Sequence, residues 1–166
     1  RLGSLEPDHI TDEVIARLAK IEKFCPQFHI SLQSGCDNTL KAMNRHYTAA
    51  EYAELCEKLR KNFSDATITT DIMVGFPTES EEDFAENVRF AQMIGFEKVH
   101  VFPYSPREGT RAAKMPQIEK SVKEKRSHIM IEKTEEVRQS FLKSQIGKTV
   151  DVLFETRHSD GFVEGY

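Results

Sequence analysis

The sequence predicts an α/β protein whose parallel strands form a barrel or part of one, followed by the beginning of a small antiparallel β module. Segments with strand periodicity alternate with helical segments about every 30–35 residues, which is typical of βαβ units with parallel strands. The last part of the chain instead alternates apolar and polar side chains on either side of a turn. We therefore divide the chain into a barrel part, residues 1–146, and a β module, residues 147–166.

The first half of the chain contains alternating strands and helices. Thr11 can cap a helix whose apolar residues recur at helical spacing, and Pro26 ends that helix. The predicted strands are Arg1–Leu5 and Phe28–Gln33, and helical segments follow at Asp37–Met43 and Ala49–Phe63.

The second half continues the alternation. Ser80, with Asp83 three residues later, forms a capping box for a helix that Gly95 closes. The predicted strands on either side of that helix are Thr67–Val74 and Val99–Pro103. The remaining elements are a polar helix from Ser121 to Ile146, a strand at Val150–Thr156, a turn at Arg157–Asp160 and a return strand at Gly161–Tyr166.

Three central strands each present one apolar and one polar or mixed face, because successive side chains of a strand point to opposite sides. The second kind of face carries His29, Ser31 and Gln33, then Thr69, Asp71 and Met73, then His100, Phe102 and Tyr104. Parallel strands covered on both sides are apolar throughout, so these faces indicate an exposed sheet or a lumen that binds a polar ligand near the C-terminal strand ends. The agreement of three strands favours the ligand.

Charge and hydropathy exclude several classes of protein. With 27 acidic and 23 basic residues the net charge is −4, which argues against a domain that binds nucleic acid by itself. The one basic cluster is more typical of a solvated helix face than of an RNA contact; it comprises Lys114, Lys120, Lys123, Lys125 and Arg126. No apolar run approaches the ~20 residues of a membrane span and no leader opens the chain, so we expect a cytoplasmic protein without a membrane partner.

The three cysteines do not predict a metal site. Cys25, Cys36 and Cys56 are widely spaced and form no C-x-x-C pair, so we assign no metal ligand and no disulfide. We expect all three to be reduced thiols without a chemical role. No residue is assigned as catalytic.

Five motifs, the first of which combines two segments, resemble, in the same order, parts of the radical S-adenosylmethionine (SAM) methylthiotransferases. His29–Asp37 and Leu40–Thr48 are similar to the fourth barrel strand and the segment after it, Thr70–Glu79 to the fifth strand and its exit loop, and His100–Thr110 to the sixth. Residues 1–7 are similar to the end of the third strand, and residues 147–166 to the start of the RNA-binding TRAM β-barrel. Thr78, where Gly is commoner, and Cys36 depart from the family's pattern.

The resemblance implies a partial (βα)6 radical SAM barrel in residues 1–146 and the start of a TRAM-like domain after it. In this family a 4Fe–4S cluster on a C-x-x-x-C-x-x-C loop cleaves SAM, and the resulting radical chemistry adds a methylthio group to its substrate. This chain begins inside an apparently structured stretch and lacks those cysteines, so we expect the cluster ligands upstream of it and no activity from this part alone. The implied partners are a tRNA substrate and a reductant protein.

The resemblance also assigns SAM-binding roles to residues on the mixed faces. Ser31 and Gln33 correspond to the level of the SAM ribose, and Arg45 to an arginine on the SAM carboxylate, which a guanidinium fork suits. Asp71 and Met73 correspond to the adenine edge, and the aromatic residues Phe102 and Tyr104 to a wall for the adenine or the target base. The alternative roles are filling of the lumen for Ser31 and Gln33, and a surface ion pair for Arg45. For the aromatic residues Phe102 and Tyr104 the alternative is core packing. Glu79 is expected to act as a charge at a helix N-terminus.

Within the family, HISLQSG at residues 29–35 and HVFPYS at residues 100–105 are most similar to the enzymes that modify C2 of threonylcarbamoyladenosine next to the tRNA anticodon. The alternatives are the isopentenyladenosine branch and the branch that modifies a ribosomal protein. A non-catalytic RNA-binding module is disfavoured by the acidic charge, and a phosphate-binding (βα) enzyme by the absence of a Gly-rich phosphate loop. An unpaired first strand and an uncovered β module also predict self-association.

Overall fold

A four-stranded parallel sheet forms the centre of the protein. The computed structural model describes residues 2–165, so the predicted strand ends Arg1 and Tyr166 lie outside the described residues. The strands stand in the order β1-β2-β3-β4 and all pair in parallel; they are β1, Leu2–Leu5, β2, Gln27–Ile30, β3, Thr67–Val74, and β4, Lys98–Pro103. This sheet confirms the predicted α/β class with parallel strands and is consistent with part of a radical SAM barrel.

Helices connect the strands at bounds close to those predicted. They are α1, Asp12–Leu18, α2, Asp37–Ala42, α3, Ala49–Asn62, α4, Glu81–Ile94, and α5, Lys120–Gln145, with short 3₁₀ helices at Pro7–His9 and Ala112–Lys114. The caps predicted at Thr11, Ser80 and Gly95 are all present. A further capping box, between Thr48 and Glu51, starts α3.

Two predicted bounds in the barrel part were wrong by three residues or more. Helix α1 ends at Leu18 rather than at Pro26, because Ile21, which continued the apolar spacing, has no core to bury against and is 53% exposed. Strand β2 ends at Ile30 rather than at Gln33. There the chain turns, since the backbone φ of Gln33 is +66° and this residue pairs with β3 only through an isolated bridge to Ile72.

The core lies between the sheet and the helices. Apolar side chains from one face of β2 and β3 are at most 2% exposed; these are Phe28, Ile30, Ile68, Ile72 and Val74. Tyr52 of α3 is fully buried against them and its hydroxyl donates to the Ile30 carbonyl at 2.9 Å. The other face of the sheet keeps the polar residues expected from the sequence.

Helix α5 packs along β4 and beside α4. It spans 26 residues, yet neither it nor any other helix in the described part of the chain is long and apolar enough to cross a membrane. After it, β5, Phe154–Arg157, pairs antiparallel with β6, Val163–Gly165. The first of these strands is shorter than predicted, because Val150 and Val152 do not join the ladder.

Candidate functional site

A cavity of about 440 Å³ opens at the C-terminal edge of the sheet. Strand ends and the loop after β4 line it, through Gln33, Met73, Phe102, Pro103, Tyr104, Ser105, Arg107, Thr110 and Ala112. Four of the seven residues that the sequence singled out therefore meet here: Gln33, Met73, Phe102 and Tyr104. The carboxyl ends of parallel strands are where (βα) barrels place their ligands.

Gln33 is the most constrained residue of this cavity. Its left-handed φ is rare for a non-glycine residue and raises the free energy of the folded chain by about 1–3 kcal/mol. Backbone bonds hold it there, because its N–H donates to the Asp71 carbonyl and its carbonyl accepts from the Met73 N–H, both at 2.9 Å. The residue is 9% exposed, and its side chain makes no hydrogen bond within the described residues, so the amide is available to a ligand.

The loop after β2 is held against α4. The Gly35 N–H donates to Asn87 Oδ1 at 2.7 Å, and the Cys36 thiol and Asn38 amide donate to Asp83 Oδ1 at 3.2 and 3.0 Å. Burial would raise the pKa of Asp83, but hydrogen bonds from Asn38 and Ser80 outweigh it and lower that pKa to about 2. The carboxylate therefore remains charged and fixes the loop that carries Gln33.

The loop after β3 is held by a buried ion pair. Arg126 Nη1 of α5 donates to Glu79 Oε2 at 2.8 Å and to the Glu79 carbonyl at 2.9 Å. Glu79 Oε2 also accepts from the N–H of Gly75, at 2.7 Å. Glu79 was predicted as a charge at a helix N-terminus and Arg126 as part of a solvated basic face; the structure instead buries both, with side chains 0% and 5% exposed.

The loop after β4 is held by α5 as well. Tyr104 continues the ladder, since its N–H donates to the Val74 carbonyl at 2.8 Å, and its own carbonyl accepts from Lys123 Nζ at 3.1 Å. Its ring packs edge-on to Phe76, with ring centroids 5.3 Å apart. The hydroxyl is buried with no partner in the described part of the chain, so Tyr104 contributes its ring to the cavity wall.

The other three predicted site residues do not line this cavity. Arg45 Nη1 donates to both carboxylate oxygens of Glu6, at 2.8 and 2.7 Å, which is the ion-pair alternative considered from the sequence. Glu6 directly follows β1, so Arg45 nevertheless lies at the same edge of the sheet. The Ser31 N–H donates to the Leu5 carbonyl at 2.9 Å. The cofactor roles of these residues stay predictions.

Asp71 belongs to a polar cluster on the open face of the sheet that was not predicted as a cluster. His29 Nε2 lies 3.2 Å from Asp71 Oδ2, and its Nδ1 lies 2.9 Å from Thr69 Oγ1. The ring of His100 lies beside it, with centroids 5.9 Å apart. Strand alternation placed all four on one face, but only the register between β2 and β3 brings His29 between its two partners.

The cysteines do not form a site for an iron–sulfur cluster. Among residues 2–165 no group of three or more His, Cys, Asp or Glu side chains could hold a metal ion. Cys36 and Cys56 are buried, and burial raises their thiol pKa values to about 11 and about 12, while Cys25 is exposed. A cluster needs several thiolates that converge on one site, and these three thiols form no such group within the described residues. The apolar wall of the cavity and the unbonded amide of Gln33 fit an adenosine group, either of the cofactor or of a substrate nucleoside.

Comparison with known proteins agrees with the motifs. Residues 4–91 match the radical SAM superfamily. The chain is 38% identical over 156 residues to the tRNA-2-methylthio-N(6)-dimethylallyladenosine synthase of Caldicellulosiruptor saccharolyticus, covering 93% of this chain and 33% of that protein. It is 37% identical to the threonylcarbamoyladenosine tRNA methylthiotransferases of Thermotoga maritima and Rickettsia prowazekii, over 100% and 98% of this chain and 38% and 39% of those proteins.

The chain thus spans about a third of the length of the curated relatives it matches. The family match covers the part of the chain that runs from β1 into α4. This part includes Gln33, the loop after β3 and most of the residues that hold them. By that match, and by relatives that align with nearly all of its length, this chain belongs to the radical SAM superfamily and is related to its tRNA methylthiotransferases.

Proposed function

We propose that this chain is the later barrel segment of a cytoplasmic radical SAM methylthiotransferase that modifies threonylcarbamoyladenosine in tRNA. One observation carries the proposal: the segments that resemble the family converge on one cavity at the C-terminal edge of a parallel sheet. Residues far apart in the sequence, Gln33, Met73 and Phe102, supply adjacent parts of its wall. Such convergence is expected of a ligand site and not of a sheet that only fills space.

A 4Fe–4S cluster, for which the described residues offer no ligand set, and SAM would together supply the radical chemistry of the proposed enzyme. The residues of this chain bind and orient. The Gln33 amide donates to or accepts from a polar edge of the cofactor, and Phe102 and Met73 cover an aromatic base. Arg45, on the loop before α3 and paired with Glu6 after β1, offers its remaining N–H groups to the SAM carboxylate. The bonds to Asp83, Glu79 and Lys123 hold these groups in place before a ligand arrives.

The threonylcarbamoyladenosine branch is preferred because relatives with that activity in their names align with 98–100% of the chain. The second candidate is a dimethylallyladenosine (isopentenyladenosine) substrate, which is favoured by the higher identity of 38–41% to synthases of that kind. The two candidates share the reaction and differ in the group attached to the adenine. A reductant protein and tRNA are the partners that either reaction requires.

Nucleoside analysis tests the proposal. The full-length protein, expressed in bacteria that lack methylthiolated tRNA nucleosides, should produce the 2-methylthio derivative of threonylcarbamoyladenosine, detected by mass spectrometry of digested tRNA. Gln33→Ala should reduce the product, whereas Gln139→Ala, an exposed glutamine on α5, should not. The methylthio derivative of dimethylallyladenosine alone would support the second candidate, and no methylthiolated nucleoside would contradict both.

A further inference from the structure

Arg107 is a cation placed at the cavity without an acidic partner. It lines the cavity together with apolar and neutral polar side chains, and no carboxylate is among the lining residues. Within the described residues Arg107 forms no ion pair and its side chain donates no hydrogen bond. A guanidinium in this position raises the affinity of the cavity for an anionic group, and no carboxylate in the described part of the chain pairs with it.

The backbone of Arg107 is fixed although its side chain is exposed. Its carbonyl accepts from Thr110 Oγ1 at 2.7 Å and from the Thr110 N–H at 3.2 Å, which closes a tight turn. Thr110 Oγ1 also accepts from the Ala113 N–H at 3.3 Å, at the start of the 3₁₀ helix. The turn presents the guanidinium from one side of the cavity, so little backbone ordering is needed when a ligand binds.

The rest of the wall suits an aromatic ring. Phe102, Met73 and Pro103 form an apolar surface next to Arg107, and the cavity volume of about 440 Å³ lies in the range of pockets that enclose a small molecule. An apolar surface with one cation at its rim is complementary to a base that carries an anionic substituent.

We propose that Arg107 binds the carboxylate of the substrate nucleoside and thereby selects adenosines with an acidic substituent over those with a hydrocarbon one. This inference rests on the proposed function and assigns a residue to its choice of substrate. A carboxylate can accept two parallel N–H bonds from the guanidinium fork, and a hydrocarbon group would leave that cation unpaired.

Two other anions have the same chemistry, an RNA phosphate and the carboxylate of SAM. Position favours the nucleoside over the phosphate, because Arg107 lines the cavity whereas the neighbouring cations Arg111 and Lys114 do not. Arg45, on the loop before α3, lies outside this cavity and is the residue proposed for the SAM carboxylate. The experiment below separates the three sources.

The test measures binding of fluorescent anticodon stem-loop RNA to the full-length protein by anisotropy. Two RNAs are matched: one carries threonylcarbamoyladenosine, and the other carries its methyl ester, which removes the negative charge. The wild-type protein should bind the acid about tenfold or more tightly than the ester. Arg107→Gln should abolish this preference, Arg107→Lys should restore part of it, and Arg111→Gln, the matched control on the same loop, should leave it intact.

Each contrary result has a distinct meaning. Equal weakening of both RNAs by Arg107→Gln would assign Arg107 to a phosphate and overturn the inference. A loss of SAM affinity in the same variant, measured by calorimetry, would assign it to the cofactor and overturn the inference as well. If the wild-type protein prefers the acid and Arg107→Gln keeps that preference, the inference fails while the proposed substrate stands. If the wild-type protein binds the acid no better than unmodified RNA, the proposed substrate fails and the inference with it.

Discussion

Breaking the buried ion pair between Arg126 and Glu79 is expected to destabilise the protein strongly at neutral pH and much less in mild acid. The side chains are 5% and 0% exposed, so an unpaired Glu79 carboxylate would be cut off from water. Removing one partner of such a pair costs about 3–5 kcal/mol. We therefore expect Arg126→Met to lower the free energy of unfolding by about 3–4 kcal/mol at pH 7.

The pH dependence arises from Glu79. Burial raises the pKa of this carboxyl above its ordinary value, outweighing the hydrogen bond from Gly75 and the charge of Arg126. A group with a raised folded-state pKa gives its full contribution to stability below the unfolded-state pKa and loses it as the pH rises through the folded-state pKa. Without Arg126 the pKa of Glu79 rises further, so the loss at neutral pH becomes larger.

Protonation sets an upper limit on the cost of the unpaired carboxylate. With an ordinary pKa of about 4.3 and about 1.36 kcal/mol per pH unit, the limit is about 3.7 kcal/mol at pH 7 and about 1 kcal/mol at pH 5. Arg126→Met should therefore cost about 2–3 kcal/mol less at pH 5 than at pH 7. Urea unfolding of wild type and variant, followed by circular dichroism at both pH values, measures this difference.

The double variant Arg126→Met/Glu79→Gln provides the control. Its neutral amide oxygen can still accept from the Gly75 N–H, so the stability difference between the two pH values should largely disappear. If Arg126→Met alone costs less than about 1 kcal/mol, as an exposed ion pair would, or costs the same at both pH values, the reasoning from burial is refuted.

Three further predictions concern the site loops and the surface. Arg45→Ala should weaken SAM binding to the full-length, cluster-loaded protein about tenfold or more, with Arg45→Lys rescuing it in part; unchanged affinity in calorimetry would leave Arg45 as a partner of Glu6 only. Gly35→Ala should destabilise the fold by about 1–3 kcal/mol, because the new Cβ would lie 2.5 Å from Phe90 Cβ, whereas Gly3→Ala should be tolerated, since its nearest neighbour lies at 3.8 Å. This chain should self-associate with rising concentration in light scattering, through exposed apolar residues such as Phe154 and Phe162, which are 65% and 74% exposed; a monomer at high micromolar concentration would contradict this.

The sequence predicted the sheet and its helices well where the signals were local. Strand alternation and capping residues are properties of a few neighbouring residues. Alternation predicted β3, the Ser80 cap with Gly95 predicted α4, and the Thr11 cap predicted the start of α1. The end of β2 was mistaken because alternation continues to Gln33 while the backbone does not. A left-handed conformation at a non-glycine residue has no local signature, since the bonds to Asp71 and Met73 impose it.

The candidate site was predictable only in part, for the same reason. Alternation and the family motifs identified Gln33, Met73, Phe102 and Tyr104, which do meet at one cavity. The Arg126–Glu79 pair was missed because 47 residues separate its members, and the surrounding lysines suggested a solvated helix. Arg107 lay within a recognised motif, yet only the structure shows that it lines a cavity whose wall contains no carboxylate.

The attachments of the site loops follow one rule along the sheet. The loop after β1 is bound through Glu6 to Arg45, which lies beyond β2. The loop after β2 is bound to Asp83 and Asn87 of α4, which lies beyond β3. The loop after β3 is bound to Arg126 of α5, which lies beyond β4.

Each strand-and-helix unit therefore holds in place the loop that follows the strand of the unit before it, so consecutive units overlap along the sheet. A cut or a chimeric junction placed between β4 and α5 would leave all four strands of the sheet present, yet it would release the loop after β3. When segments are exchanged between barrels of this kind, function should be preserved best if the transferred segment also contains the helix of the next unit along the chain. That helix is the one that holds the last transferred loop in place.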